Sequence, residues 1–173
     1  MECRRGDRSS LSELATPFDL VGVSLSKGLG APGGSLLAGS RKIVARALRH
    51  RRMMGGAMRQ VGIFAAAGIF ALDNNMTRLL DDHANARLIA DRLAKCRRIA
   101  IDLATVQTNI LVFGLGPDAP DAMVLVANAR ARVVLINAFG PRTVRAVTHL
   151  DVSRDQCIKA ADVLVEIASG STT

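Results

Sequence analysis

The stretch from Ser24 to Ser35 holds four glycines and a proline in twelve residues, and neither a helix nor a strand runs through such a composition. It must be a turn. Leu20 to Leu25 before it reads as an apolar strand, and Leu36 to Ala38 after it as a second apolar run. The turn therefore presents one lysine, Lys27, at the C-terminal end of a strand. Strand ends are where α/β folds place their chemistry, because loops there vary over a rigid scaffold. A lysine so placed either stays solvated or, once desolvated, loses its proton and serves as a Schiff-base nucleophile.

Two nucleotide-binding readings of the same glycines fail on context. Gly28, Gly30 and Gly33 satisfy G-x-G-x-x-G, but that fingerprint needs the glycines to open a helix, with an acidic residue on the next strand. Ser35 to Gly39 is too short and too bounded by glycine to be that helix. No G-K-[ST] closes the loop, so a Walker-type phosphate loop is excluded as well.

At 173 residues the chain suffices for one good core, or for one domain and part of another. With 49% apolar and 22% charged residues, its composition is that of a soluble globular protein. The net charge of +8 is local in origin. Seven cations and no acid fall between Arg41 and Gln60, and removing those seven leaves 16 cations against 15 acids. Lys42, Arg46 and Arg49 recur at helical spacing, with Ile43, Val44, Ala47 and Leu48 opposite them. That pattern is an amphipathic helix with a solvated basic side, N-capped by Ser40. A basic nucleic-acid-binding module is the alternative. Five phenylalanines and no Trp or Tyr leave few platforms for stacked bases, so nucleic acid is not the expected partner.

Cys3, Cys96 and Cys157 are odd in number and scattered, which suggests no metal site, no disulfide framework and a reducing cytoplasm. The N-terminus lacks the apolar core of a signal peptide, and the longest apolar run, Val61 to Leu72, is shorter than the ~20 residues that span a bilayer. No membrane association is expected.

Residues 1 to 10 are patternless and read as a disordered leader or an artefact of where the chain begins. A short helix from Leu11 should end at Thr16-Pro17, since the residue before proline is pushed out of helix. After the lysine turn come a helix from about Arg41 to Met53, a break at Gly55-Gly56, and a helix from about Met58 to Asp73. The last is apolar on all sides and reads as a core helix under a sheet missing from this stretch, or as part of a subunit interface, so that alone it has nowhere to bury its surface. From about Asp81 the pattern changes to α+β. A helix from His83 to Cys96, for which Asp82 is a possible N-cap, precedes a strand from Asn109 to Phe113. Asp118 should cap a helix with Pro120 in its first turn, running to about Arg130. Val133 to Ala138 and Thr143 to Leu150 read as strands joined in a hairpin through Gly140-Pro141, with Arg145, Val147 and His149 on one face. Ser153 and Gln156 form a capping box for a last helix ending near Ala168, and the tail from Ser169 should be disordered.

The run Ser26-Lys27-Gly28-Leu29-Gly30-Ala31-Pro32, followed by Gly34-Ser35, resembles the lysine motif of the low-specificity L-threonine aldolases. These are pyridoxal-phosphate (PLP) lyases of the aspartate-aminotransferase-like fold, fold type I. The likeness continues, in the family's order, through Gly55-Gly56-Ala57-Met58-Arg59-Gln60, Asp82-His83-Ala84-Asn85-Ala86, Gln107-Thr108-Asn109 and the segment from Val144 to Ser153. It covers roughly residues 11 to 168, and about the C-terminal half of the family. The implied fold class is α/β: residues 1–78 as the trailing part of the PLP-binding large domain, then residues 79–173 as a small C-terminal α+β domain.

The resemblance implies that Lys27 carries PLP as a Schiff base, and that Gly28, Gly30 and Gly34 let the backbone pass close to the cofactor. It implies that Arg52 and Arg59 approach the cofactor phosphate from a neighbouring subunit of a homodimer or homotetramer. Arg145 would hold the substrate α-carboxylate, and the reaction would cleave L-threonine, L-allo-threonine or a related β-hydroxy amino acid to glycine and an aldehyde. His83 and His149 fall inside the motifs and are expected to be structural or solvated. Arg52 stands where the family has lysine, Ala57 where it has glycine, and Gly33 where it has a bulky aliphatic residue, which should loosen the turn. The family's first half supplies the histidine on the PLP ring, the carboxylate at its pyridine nitrogen and most phosphate ligands. This polypeptide alone is therefore expected to be inactive, and to aggregate or need a partner. A non-catalytic remnant that pairs with full-length subunits is the alternative.

Overall fold

The computed structural model describes residues 10–170. The expectations for the leader, for Cys3 and for residues 171–173 lie outside them. The chain divides into two compact units, Met1–Arg78 and Leu79–Thr173.

In the first unit, α1 (Leu11–Ala15) is opened by Ser10 and Glu13 in a reciprocal capping box and stops ahead of Pro17. β1 (Leu20–Ser24) and β2 (Ser35–Gly39) pair antiparallel, Leu20 opposite Gly39 through Ser24 opposite Ser35, with the lysine turn as their loop. α2 (Arg41–Met53) has the expected bounds, and the Ser40 hydroxyl accepts from the Ile43 amide at 3.4 Å. Its cations are solvated, but Val44 and Leu48 on the apolar face are exposed too.

α3 (Gly62–Asn74) begins four residues later than Met58, because Gln60 at φ 53° keeps the preceding segment out of helix. Within the unit its apolar surface stays largely uncovered, as expected of a core helix whose covering sheet is missing. Only Gly68 and Ala71 are buried, while Ile63, Ile69 and Phe70 are 70%, 62% and 64% exposed. One face of α3 has a partner within the unit and the rest has none.

The second unit is a four-stranded antiparallel sheet in the order β3-β4-β6-β5, with α4, α5 and α6 packed on one face. Its strands are β3 (Ile99–Ala100), β4 (Ile110–Leu115), β5 (Asn137–Gly140) and β6 (Thr143–Val147). Leu111, Phe113, Leu115, Val144 and Ala146 point from the sheet into the core, to meet Ala86, Ile89, Leu93, Leu125, Ala161 and Leu164 from the helices.

Three expected starts shift, each for a local reason. α4 (Leu79–Leu93) starts before His83, with Asp81 and Asp82 in its first turn, where carboxylates suit the helix dipole. Asp82 is therefore inside the helix and not its cap. α5 (Ala122–Ala131) starts after Pro120, with Asp121 in the capping position instead of Asp118. The Asp121 carboxylate makes no cap bond; it accepts from Arg142 at 2.8 Å. The strand expected from Val133 starts only at Asn137. Val133 adopts φ 63° and its amide, with that of Val134, turns back onto the end of α5, so residues 133–136 leave the sheet. A β3 strand of two residues and a 3₁₀ turn at Leu103–Thr105 carry no signal strong enough to foresee. α6 (Arg154–Ser169) has the expected Ser153–Gln156 capping box and closes on Gly170 at φ 72°.

Candidate active site

Three backbone hydrogen bonds shape the loop that carries Lys27. The Gly30 amide donates to the Lys27 carbonyl at 2.8 Å, the Ala31 amide to the Leu25 carbonyl at 3.0 Å, and the Leu25 amide to the Gly34 carbonyl at 3.1 Å. Gly30 and Gly34 accept left-handed φ values of 71° and 101°, which an L side chain resists. Gly28 sits in the same turn without a positive φ, so its role there is not conformational. Leu25, Leu29 and Ala31 are buried, and Ser26, Lys27, Gly30 and Pro32 are exposed. The loop thus anchors itself by its leucines and turns Lys27 outward. The Lys27 amine has no hydrogen bond or ion pair to any described residue.

The loop rests on one face of α3. Phe64, Gly68, Ala71 and Asn75 lie at i, i+4, i+7 and i+11, so they stack along a single stripe. A Cβ on Gly68 would stand 2.7 Å from Cδ1 of Leu25, so the glycine leaves the notch in which the loop's leucine sits against the helix. The Phe64 ring lies 2.7 Å from where a Cβ on Gly33 would be. The aromatic ring thus occupies the space that a bulky side chain at position 33 would need. At the end of the stripe, Asn75 donates its side-chain amide to the Leu29 carbonyl at 2.7 Å. Nothing in the motifs singles out Asn75 or Phe64; the helical spacing of small residues at 68 and 71 is the only trace of the stripe in the sequence.

Arg52 lies in the last turn of α2 and Arg59 in the segment before α3, and both are exposed without a partner among the described residues. Their neighbour Arg51 is committed differently. Its Nε donates to the Gly56 carbonyl at 2.8 Å while the Gly56 amide returns to the Arg51 carbonyl at 2.7 Å, which pins the Gly55-Gly56 break. From Leu48 to Ile63 every residue is exposed.

In the second unit Arg145 lies on β6 between β4 and β5, opposite Val112 and Asn137. The alternation is as expected: Val144, Ala146 and Thr148 point to the core, and Arg145 and Val147 to the other face. The Arg145 guanidinium is half-buried and has no partner among the described residues. The two histidines differ in environment, His83 buried and His149 exposed. His83 is buried within α4, and His149 Nδ1 accepts from the Asp151 amide at 3.3 Å. Asp82, Asn109 and Thr148 form a polar knot, with the Thr148 hydroxyl donating to the Asp82 carbonyl at 2.6 Å and the Asn109 amide group to the Thr148 carbonyl at 2.8 Å.

A strand–lysine loop–strand unit and a small antiparallel domain of this topology define an α/β chain with the fold of the PLP-dependent fold type I enzymes. The same fold is seen in a Listeria monocytogenes protein provisionally assigned as an L-allo-threonine aldolase, with a TM-score of 0.74 at 16% identity over 95% of this chain and 48% of that one. A PLP-dependent aminotransferase from Streptococcus suis matches 100% of this chain and 48% of its own, with a TM-score of 0.73 at 14% identity. A family model of beta-eliminating lyases matches residues 7–114, and the chain belongs to that family. It is 48% identical over 153 residues to the low specificity L-threonine aldolase of Escherichia coli O157:H7, covering 88% of this chain and 44% of the relative. The chain thus spans less than half the length of this relative, matching its C-terminal half.

Proposed function

We propose that this chain is the lysine-bearing part of a PLP-dependent carbon–carbon lyase that converts L-threonine, L-allo-threonine or a related β-hydroxy amino acid to glycine and an aldehyde. Lys27 carries this reading: a partnerless, exposed amine at the end of β1, within a stretch of high identity to a threonine aldolase. The donor set suits PLP, with one free primary amine for its aldehyde and two exposed guanidinium groups for its phosphate. Lys27 would hold the cofactor through Nζ, and Arg52 and Arg59 its phosphate. Bound PLP supplies an electron sink for the charge left at Cα when the Cα–Cβ bond breaks.

The remaining roles belong to the chain's own residues. Gly28 and Gly30 keep side chains out of the approach to the loop. Arg145 offers a planar fork with two parallel donors, which fixes a substrate carboxylate in orientation as well as in place. The exposed run 48–63 sets Met53, Met54, Met58, Val61 and Ile63 around Arg52 and Arg59. Methionine and aliphatic surface beside arginine is interface composition, which supports a homodimer or homotetramer whose neighbouring subunit receives the two arginines. In this reading residues 1–78 are the trailing part of the PLP-binding large domain and residues 79–173 the small C-terminal domain. The cytoplasm is the proposed location, and among the described residues no helix is long and apolar enough to cross a membrane.

The exposed apolar faces of α3 favour a second reading, a non-catalytic partner of full-length subunits. Nucleic-acid binding by the basic side of α2 is weaker, because the same segment serves the phosphate and interface roles. The deciding experiment incubates the purified chain with PLP, reduces it with borohydride and maps the pyridoxyl group by peptide mass spectrometry. Lys27 should be labelled in preference to Lys42, Lys95 and Lys159, a preference that Lys27→Ala removes. Equal labelling of all four would overturn a working PLP lysine in this chain. Retro-aldol turnover is expected to be absent from the chain alone and to need the part of the relatives that it does not span.

A further inference from the structure

We propose that Asn75 is a positioning residue for Lys27, acting through the Leu29 carbonyl; this deepens, and rests on, the assignment of Lys27 as the PLP lysine. The lysine loop has one turn, Lys27 to Gly30, and that turn is closed by a single hydrogen bond between its own ends. Nothing in such a turn fixes its height over the rest of the unit. Leu29, the residue inside it, is held at both of its free ends: its side chain is 2% exposed, and its carbonyl accepts the Asn75 amide at 2.7 Å. Leu29 is two residues from Lys27, inside the same turn. Asn75 in turn is fixed, since it forms the C-terminal boundary of α3 and its backbone amide donates to the Ala71 carbonyl at 2.9 Å.

The tether spans 46 positions in sequence and joins the loop to the far end of the stripe whose other members, Phe64 and Gly68, touch the loop at Gly33 and Leu25. Those two contacts are apolar and set how closely the loop lies on α3. They seat the loop over the first turns of the stripe, and the hydrogen bond adds a third, directional point at its far end, under the lysine turn itself. Asn75 therefore completes the register of the loop on α3, and with it sets the point from which the Lys27 side chain departs.

Asn74 provides an internal control. It is also an asparagine at the end of α3, but its amide donates at 2.8 Å to the Phe70 carbonyl within the helix and not to the loop. The experiment compares the full chain with Asn75→Ala, Asn75→Asp and Asn74→Ala. Asn75→Asp keeps the size while removing the donor, with a charge that the C-terminal end of α3 disfavours, and retained exchange protection inside α3 (residues 66–71) shows that each variant compared still folds.

Amide hydrogen exchange over residues 27–31 reads the tether without any cofactor. It should quicken by about fivefold in both Asn75 variants, the worth of one ordinary hydrogen bond, and stay unchanged in Asn74→Ala. Trapping with PLP and borohydride then reads the lysine. The preference for Lys27 over Lys42 should fall by a similar factor in the Asn75 variants alone. Unchanged exchange in the Asn75 variants, or a change equal to that in Asn74→Ala, overturns the proposal. Quickened exchange with undiminished Lys27 preference overturns it too, because the loop would then move without moving the lysine. If wild-type chain shows no Lys27 preference, the PLP reading of this chain fails by itself, and the exchange comparison still decides whether Asn75 fixes the loop.

Discussion

At the scale of single residues, the lysine motif contains glycines of two kinds. Gly30 closes the turn at φ 71°, whereas Gly28 has an ordinary φ. Gly30→Ala should lower the stability of the first unit by about 1–2 kcal/mol, and Gly28→Ala should bring no such backbone strain. Urea titration of both variants checks this, and equal losses would contradict it. Cys157 in α6 gives a prediction in pH. Burial, reinforced by the nearby Asp82 carboxylate and opposed by Arg154, pushes its thiol above the ordinary 9.0. The folded chain keeps the proton that the unfolded chain releases, so the thiol's contribution is complete below 9.0 and is lost as pH rises from there through the folded value. Thermal melts of wild type should therefore decline more steeply above that pH than those of Cys157→Ala. Parallel curves would show that the thiol ionises as freely in the folded state as in the unfolded one.

At the scale of elements, α3 is a pedestal. Its sequence is apolar all round, and within the unit only the stripe from Phe64 to Asn75 meets the lysine loop. Gly33 and Phe64 exchange volume across that contact. Gly33→Val alone should cost about 1–3 kcal/mol through overpacking, and Phe64→Ala alone about 2 kcal/mol through the lost ring. Combined, they should cost less than the sum, since the valine enters the space the ring leaves, with a coupling of about 0.5–3 kcal/mol. Strict additivity in a double-mutant cycle would show that the two residues do not share the space.

At the scale of the whole molecule, the two units differ in what they bury. The second carries a continuous core from Ala86 to Ala168. The first leaves Met53, Met54, Ile63, Ile69 and Phe70 between 62% and 84% exposed. Large exposed apolar side chains in that number mark an interface or drive aggregation. Sedimentation of the full chain should show concentration-dependent association, reduced by replacing Met53, Met54 and Met58 with serine. A monomer at every soluble concentration, with no change on substitution, would remove the support for a subunit interface at residues 48–63.

The sequence by itself determined what is local. Four glycines and a proline force a turn with Lys27 in it. Ser40 and the Ser153–Gln156 pair mark helix starts, and strict alternation along β6 separates Arg145 from the core. These signals act over a few residues, where backbone conformation and capping chemistry are decided by neighbours in the chain. The family was legible too, because its motifs are themselves short runs. Contacts between distant residues decided the rest. Asp121 stands at the start of α5 with its carboxylate on Arg142, residues 133–136 leave the sheet because Val133 turns back onto α5, and Asn75 reaches the Leu29 carbonyl across 46 positions. No periodicity encodes such partnerships. Only the folded chain brings an amide at the end of one helix to the carbonyl of a loop, and that contact fixes the place from which Lys27 departs.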